Sequence, residues 1–482
     1  MKVTQVAICP TEASEKQGRP SLTPELLAAS GARYSRNNEG LDAILEKIDP
    51  DNMDKSVDSI FKMVDYGHQS IADMVPVAMF IDELSIWLAY YVWSLCPVVG
   101  GQESSTRYIK MSADELISPH KLGIPEEDRP EWHRNMVKSF ENYQKCVEAW
   151  TFLAEDTPAI MGIPQSVIDD PKQEKKLARM KRNYAFDRSR YYLPVAGATN
   201  MMLVMSARAW VTLAQNLYAH SSPDARDLAS QIRGELEIAS PRMMKHAEFK
   251  PYMANGHEIE FSKNMERARA EYPTFVNRME EEENRGFQCQ SNASLEVLTA
   301  GSSESEIYRD LMYHENRYAW VGTDIQRTMV RFGWDAVSFA EIRDLNRHRT
   351  GTKYCPLVPR GFYYASEMLP KLRNNLSSES VARRKAIEQI EECSSFGRHV
   401  TEKAMDRLIS GDSSYVYWTL LGTEYRFEHS TTADKFIYEA ELRTGIGSHF
   451  RYAQHLRDVL KLWYKKYPSS KGLILEGSAE PE

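Results

Sequence analysis

Three short segments hold the side chains with the most evident chemical use. Gly101-Gln-Glu-Ser-Ser-Thr-Arg-Tyr108 sets two serine hydroxyls, the Glu103 carboxylate and the Arg107 guanidinium in one turn-rich stretch behind Gly100. Glycines let a backbone approach a ligand, and hydroxyls, amides and an arginine fork are the groups that bind phosphate. A polar loop ahead of a strand is the other reading of the same residues. Neither Ser104 nor Ser105 has a neighbouring His or Asp to act as base, so a nucleophilic serine is not supported. Arg347-His348-Arg349 places two guanidiniums beside an imidazole; it reads either as a solvated helix end or as a terminus that grips a polyanion such as a nucleotide diphosphate. Gly67-His68-Gln69-Ser70 reads as a turn and cap before a strand, or as part of a site.

The rest of the chain limits what such groups can serve. In 482 residues, 60 Lys and Arg against 68 Asp and Glu leave a formal charge of −8, which disfavours a polynucleotide partner but leaves room for a local basic pocket. Cys9, Cys96, Cys146, Cys289, Cys355 and Cys393 show no metal-ligand spacing and no disulfide framework, so they read as free thiols in a reducing compartment. No secretory h-region opens the sequence, and the most apolar stretch, Ile86 to Val99, is too short to cross a bilayer. It reads as a buried core helix, and a cytoplasmic location is expected.

Helical periodicity runs through Glu131 to Leu153, Gln173 to Phe186 and Ser380 to Ile409, whereas strand-like runs are few: Val3 to Cys9, Val75 to Ile81 and Leu295 to Thr299. That mixture predicts an α+β fold. The highly charged segment 254–285 reads as a linker between a first module, 1–253, and a second, 286–482. The halves share one spacing: Arg107 lies eleven residues after Cys96, and Arg360 eleven after Arg349. No Gly-rich dinucleotide fingerprint or phosphate loop occurs, so a flavin or nicotinamide would bind outside a Rossmann frame.

Taken in order, these elements resemble the flavin-dependent thymidylate synthases. That family carries Gly-His-x-Ser, a Phe-x-Ile-like apolar stretch, Arg-His-Arg, Ser-x-Arg-Tyr, and later Arg-x-x-Leu-Pro and Asn-Ala-Arg. The first half matches with Gly67 to Ser70, Phe80-Ile81, Ser105-Thr106-Arg107-Tyr108, Arg190-Tyr191-Tyr192-Leu193-Pro194 and Ser206-Ala207-Arg208, but has Ser94-Leu95-Cys96 in place of Arg-His-Arg. The second half keeps Arg347-His348-Arg349 and a Leu442-Arg443 pair, but has Cys355-Pro-Leu-Val-Pro-Arg360 where Ser-x-Arg-Tyr belongs, and Asp434 in place of the arginine of Asn-Ala-Arg. The losses are complementary.

The resemblance implies two tandem, helix-rich modules like those of the thymidylate synthase complementing proteins, each with a small mixed or antiparallel sheet. It implies conversion of dUMP to dTMP with reduced FAD, methylenetetrahydrofolate as one-carbon donor and NADPH as reductant, no protein nucleophile and no metal. Carried over residue by residue, it puts FAD against Ser70, Arg208, Arg347, His348, Arg349 and Arg443. It puts the nucleotide against Glu103, Ser105, Arg107 and Arg190, and His68, Ser105 and Arg443 at the reacting centre. The family shares each site among the subunits of a homotetramer, so a tandem chain is expected to form a homodimer with one FAD per chain. Alkylation of a different pyrimidine nucleotide at C5, or an inactive nucleotide-binding scaffold, are the alternatives, and a role for Arg360 stays open.

Overall fold

The computed structural model describes residues 1–36, 40–49, 52–65, 69–96, 99–107, 111–163, 165–285, 291–298, 302–374, 381–445 and 448–477. Nine strands are described: β1 Lys2–Val6, β2 Pro76–Ser85, β3 Gly100–Glu103, β4 Ala198–Ser206, β5 Ala293–Val297, β6 Met329–Ser338, β7 Thr352–Tyr354, β8 Gly361–Phe362 and β9 Thr423–Thr432. The helices that position the functional residues are α1 Ile86–Leu95, α2 Arg129–Asp156, α3 Glu174–Ser189, α4 Ala207–Ala219, α5 Pro223–Ala239, α6 Pro251–Arg285, α7 Phe339–Asn346, α8 Val381–Ser410, α9 Ala433–Thr444 and α10 Phe450–Lys466. The fold is α+β, helix-rich, with two small sheets, and every described strand pairing is antiparallel.

Two compact units result. Unit 1 comprises Met1–Ser104, Leu116–Arg129 and Ala196–Phe261, and unit 2 comprises Ser105–Glu115, Pro130–Val195 and Ser262–Glu482. Unit 1 is built on a sheet of order β1-β2-β4-β3. Its strands hand directly to helices because serines end them: Ser85 Oγ accepts from Leu88 N to start α1, and Ser206 Oγ accepts from Ala209 N to start α4. Along α1, apolar side chains point to every side, and Ile86, Trp87, Leu88, Ala89, Tyr90, Val92 and Trp93 are all buried, as expected for a core helix.

Unit 2 carries a sheet of order β5-β6-β9-β7, with β8 also on β9. Segments of both sequence halves pack in it. Val195 N donates to Thr419 O at 3.2 Å, and Leu421 N donates to Leu193 O at 2.8 Å, a reciprocal pair that flanks the bridge between Pro194 and Leu420. The Trp132 indole of α2 donates to Tyr417 O at 2.8 Å.

The expected linker, 254–285, lies within α6, and the compact units do not follow the boundaries 1–253 and 286–482. Ala268, Phe275, Met279 and Glu282 are buried along α6. Such a narrow stripe between many solvated charges is hard to tell from a linker by composition.

The registers align the two sheets residue by residue. Pro76 opposes Ser206 and Met329 opposes Thr432; both central pairs shift register at the same place, between Ile81 and Leu84 and between Trp334 and Val337; and Ser85 and Ser338 end them. Continuing along α1 and α7 without a gap, Ser94-Leu95-Cys96 corresponds to Arg347-His348-Arg349. Along β4 and β9, Arg208 corresponds to Asp434 and Leu217 to Arg443. The equal spacing to Arg107 and Arg360, however, is not kept. Gly100 opposes Val204 and Thr352 opposes Ser430, which makes Glu103 equivalent to Cys355, Ser105 to Leu357 and Arg107 to Pro359. Arg360 instead binds Glu271 at 3.0 Å and the Asp335 carbonyl at 3.0 Å.

Candidate functional site

Arg347, His348 and Arg349 leave the end of α7 and line a cavity of about 560 Å³ in unit 2. Helix α9 supplies Lys435, Tyr438 and Arg443 to its wall, and the segment before β6 supplies His314, Arg317, Tyr318 and Trp320. Trp320 is 67% exposed, unusual for so large an apolar surface. Cations around a rim of flat aromatic rings suit a ligand that has both negative charge and planar rings.

The triple is held by charge–dipole contacts. Arg443 Nε donates to His348 Nε2 at 2.9 Å, so the neutral His348 ring carries its proton on Nδ1. Burial first, and then the Arg443 charge, lower the His348 pKa to about 4, against the opposing pull of Glu439. Burial alone would raise the pKa of Glu439, but His348 and His429 hold it down at about 2. Glu439 Oε2 lies 3.1 Å from His429 Nδ1, and Tyr452 donates to Glu439 Oε1 at 3.5 Å. His314 Nε2 lies 2.8 Å from Glu441 Oε1, both side chains being buried. The imidazole of the triple is therefore a fixed neutral dipole between ionised neighbours.

Ser105, Arg107 and Arg190 of the first half fold into the same unit. Arg107 is bound bidentately by Asp187 at 2.8 and 3.0 Å, and its own backbone N–H donates to Ser105 Oγ at 3.3 Å. Arg190 is 2% exposed. Its guanidinium is taken by Glu341 at 3.0 Å and Asp344 at 3.6 Å, both on α7 ahead of Arg347. Glu341 also accepts from Tyr191 Oη at 3.0 Å and from Ser338 Oγ, and lies 3.6 Å from His449 Nδ1. His449 Nε2 in turn donates to Asp187 O at 3.2 Å. A series of polar groups thus lies between Arg107 and the helix that ends in the Arg-His-Arg triple, with His449 Nδ1 itself left without a hydrogen-bond partner among the described residues. Burial pushes the Glu341 pKa up, with Arg190 the chief restraint. For Asp344, Arg190 and then Arg347 and Arg443 overcome burial and lower it.

The resemblance puts Arg190 against the nucleotide. In the structure Arg190 is a buried ion-pair partner and does not line the cavity. The remaining expected residues lie in unit 1. Glu103 is buried and accepts from the Trp93 indole at 3.2 Å. Arg208 pairs with Asp73 at 2.8 Å, both half-exposed, and Ser70 is exposed in the turn Gln69–Met74. His68, with Gly67 and Tyr108, lies outside the described residues. Sequence reasoning missed Asp187, Glu341, Asp344, Glu439, His449 and Trp320. For Glu341 and Asp344 there was a signal, since they stand six and three residues before Arg347 in the sequence. Among the described residues no cluster of His, Cys, Asp and Glu could hold a metal ion, and no helix is long and apolar enough to cross a membrane.

Comparison with known proteins places the first half of the chain. Residues 21–242 match the family model described as thymidylate synthase complementing protein. A curated relative is the UPF0159 protein Ta1429 of Thermoplasma acidophilum, 24% identical over 238 residues, which are 45% of this chain and 47% of that protein. The chain thus spans about half the length of the curated relative it matches. Among solved structures, one of the UMP/dUMP methylase PolB from Streptomyces cacaoi bound with 5-Br dUMP aligns at 15% identity and a TM-score of 0.32, covering 51% of this chain and 93% of that one.

Proposed function

We propose that this chain is a flavin-dependent thymidylate synthase-like methyltransferase that converts dUMP to dTMP, with methylenetetrahydrofolate as one-carbon donor and NADPH as reductant, in the cytoplasm. One observation carries the reading furthest: the first-half segments 105–115 and 130–195 fold into the same compact unit as the second-half triple. Complementary halves thereby bring Ser105, Arg107, Arg347, His348, Arg349 and Arg443 into one body.

The cavity residues suit FAD. Arg347, Arg349 and Lys435 match its diphosphate charge, and Tyr318, Trp320 and Tyr438 match its flat rings. Bound there, FAD would supply the redox chemistry that no amino-acid side chain can. The chain's own residues bind and orient. Arg443 holds His348 neutral, so that the imidazole contributes a hydrogen-bonding edge without adding charge. Arg107 and Ser105 would take the nucleotide phosphate, with Asp187 giving up the guanidinium it now binds. The inactive nucleotide-binding alternative draws its support from Asp187, which already occupies Arg107, and from the burial of Arg190.

The test starts from the purified chain. A yellow protein whose colour is lost in Arg347→Ala/Arg349→Ala, and which makes dTMP from dUMP by mass spectrometry, is the expected result. A folded, colourless wild type that fails to take up FAD overturns the flavin reading. A yellow protein without dTMP formation favours the scaffold. Light scattering with released-flavin quantification should give a homodimer with one FAD per chain.

A further inference from the structure

Unit 2 contains a second cavity, of about 550 Å³, that shares no lining residue with the first. Arg188, at the end of α3, lines it and is only 8% exposed. Its guanidinium carbon lies 3.4 Å from the Tyr184 ring centroid and 4.1 Å from that of Phe450. One N–H reaches Tyr184 O at a long 3.4 Å. Among the described residues Arg188 has no carboxylate partner, whereas its neighbours Arg107, Arg190 and Arg451 each have one. A buried cation without a counter-charge is costly unless an anion comes to it.

The acidic groups of the same cavity already have partners. Glu367 binds Arg451 at 3.1 Å and accepts from Tyr363 Oη at 2.7 Å, while Asp458 binds Lys461 at 2.7 Å and Gln454 at 2.9 Å. A second buried polar group is unpartnered. His455 is 2% exposed, lines the cavity, and its Nε2 has no hydrogen-bond partner among the described residues. Burial, with Arg451 nearby, keeps that ring neutral by lowering its pKa well below the ordinary value. Ser366 adds a hydroxyl to the wall.

We propose that this cavity is a second anion site, distinct from the Arg-His-Arg cavity, which binds a phosphate group through Arg188 and His455. A neutral imidazole and a planar guanidinium edge offer directed donors to oxyanion oxygens, and Arg188 gains the counter-charge it lacks. The volume is in the range of small-molecule pockets and leaves room for an organic body on the phosphate.

Calorimetric titration of the full chain tests this, with inorganic phosphate, ribose 5-phosphate and uncharged ribose as probes. Saturable binding of phosphate or ribose 5-phosphate, but not of ribose, is expected, and it should survive in Arg347→Ala/Arg349→Ala. The tighter of the two phosphates separates a free anion from a phosphorylated metabolite as occupant. Arg188→Leu should weaken binding about tenfold or more, the loss of a charge-assisted contact. Since that variant also removes a packed side chain, His455→Leu, with its fold checked by circular dichroism, provides an independent reading and should likewise weaken binding. No saturable phosphate binding, unchanged affinity in a folded Arg188→Leu or His455→Leu, or loss of binding in Arg347→Ala/Arg349→Ala would each overturn the proposal.

Discussion

Replacing Arg190 by Met tests how the series of polar groups beneath the Arg-His-Arg triple is held. The guanidinium is 3.0 Å from Glu341 and 3.6 Å from Asp344, in a site where the Arg190 and Glu341 side chains are 3% and 1% exposed. Removing one partner from such a buried pair strands the other charge and costs about 3–5 kcal/mol. The loss should depend on pH. Glu341 already has a raised pKa, and without Arg190 it rises further. A carboxyl whose folded pKa exceeds its unfolded value favours folding below the unfolded pKa and loses that advantage as pH rises through the folded one. Asp344, held low by Arg190, acts in the opposite sense in the wild type: its stabilisation exists above the unfolded pKa and fades as pH falls. Both effects make the deficit of Arg190→Met largest in alkali and smallest in acid. Urea unfolding followed by tryptophan fluorescence, at about pH 5 and about pH 8, reads the difference directly. Adding Glu341→Gln to Arg190→Met should recover part of the loss at the higher pH. A deficit below about 1 kcal/mol at both pH values, or one independent of pH, would refute the reasoning.

Other outcomes follow from the same geometry. Burial and the neighbouring Glu282 raise the Glu424 pKa to about 7 in spite of Arg278, so wild-type stability should fall as pH rises from the ordinary carboxylate range through 7, and Glu424→Gln should flatten that slope in denaturation curves. Asp187→Asn should free Arg107 and tighten dUMP binding several-fold in calorimetry; weaker binding would show that Asp187 positions Arg107 for its ligand. Trp320→Ala, at an exposed position, should leave the melting temperature nearly unchanged while weakening FAD about tenfold in a flavin-fluorescence titration.

Local periodicity carried much of the helical reading. Of the runs Glu131 to Leu153, Gln173 to Phe186 and Ser380 to Ile409, the first lies within α2, the second from Glu174 onward within α3, and the third within α8 from Val381 onward, Ser380 being outside the described residues, because each repeats apolar residues every three or four positions over several turns. Strands were harder. Thr423–Thr432 forms the centre of a sheet although its sequence, TEYRFEHSTT, is mostly polar: His429 and Glu424 are buried there because partners elsewhere satisfy them. The cation triple of the site was legible as residue types in a row. What was not legible was the destination of each charge, since Arg190 and Glu341 lie 151 positions apart and nothing local marks them as partners. Arg190 and Arg107 read alike in sequence, yet one is enclosed by two carboxylates and the other held by one at a half-buried edge.

The reciprocal backbone pair between Val195 and Thr419 and between Leu421 and Leu193 has a consequence for behaviour in dilute solution. Both of its segments belong to one polypeptide, so their local concentration is set by the tether and not by how much protein is present. Dilution that separates ordinary subunits leaves this junction intact. Nor can mixing two variant proteins exchange the damaged segment of one for the sound segment of another, as it can wherever separate chains meet. A lesion in either half of this junction is inherited by every copy of the unit that contains it.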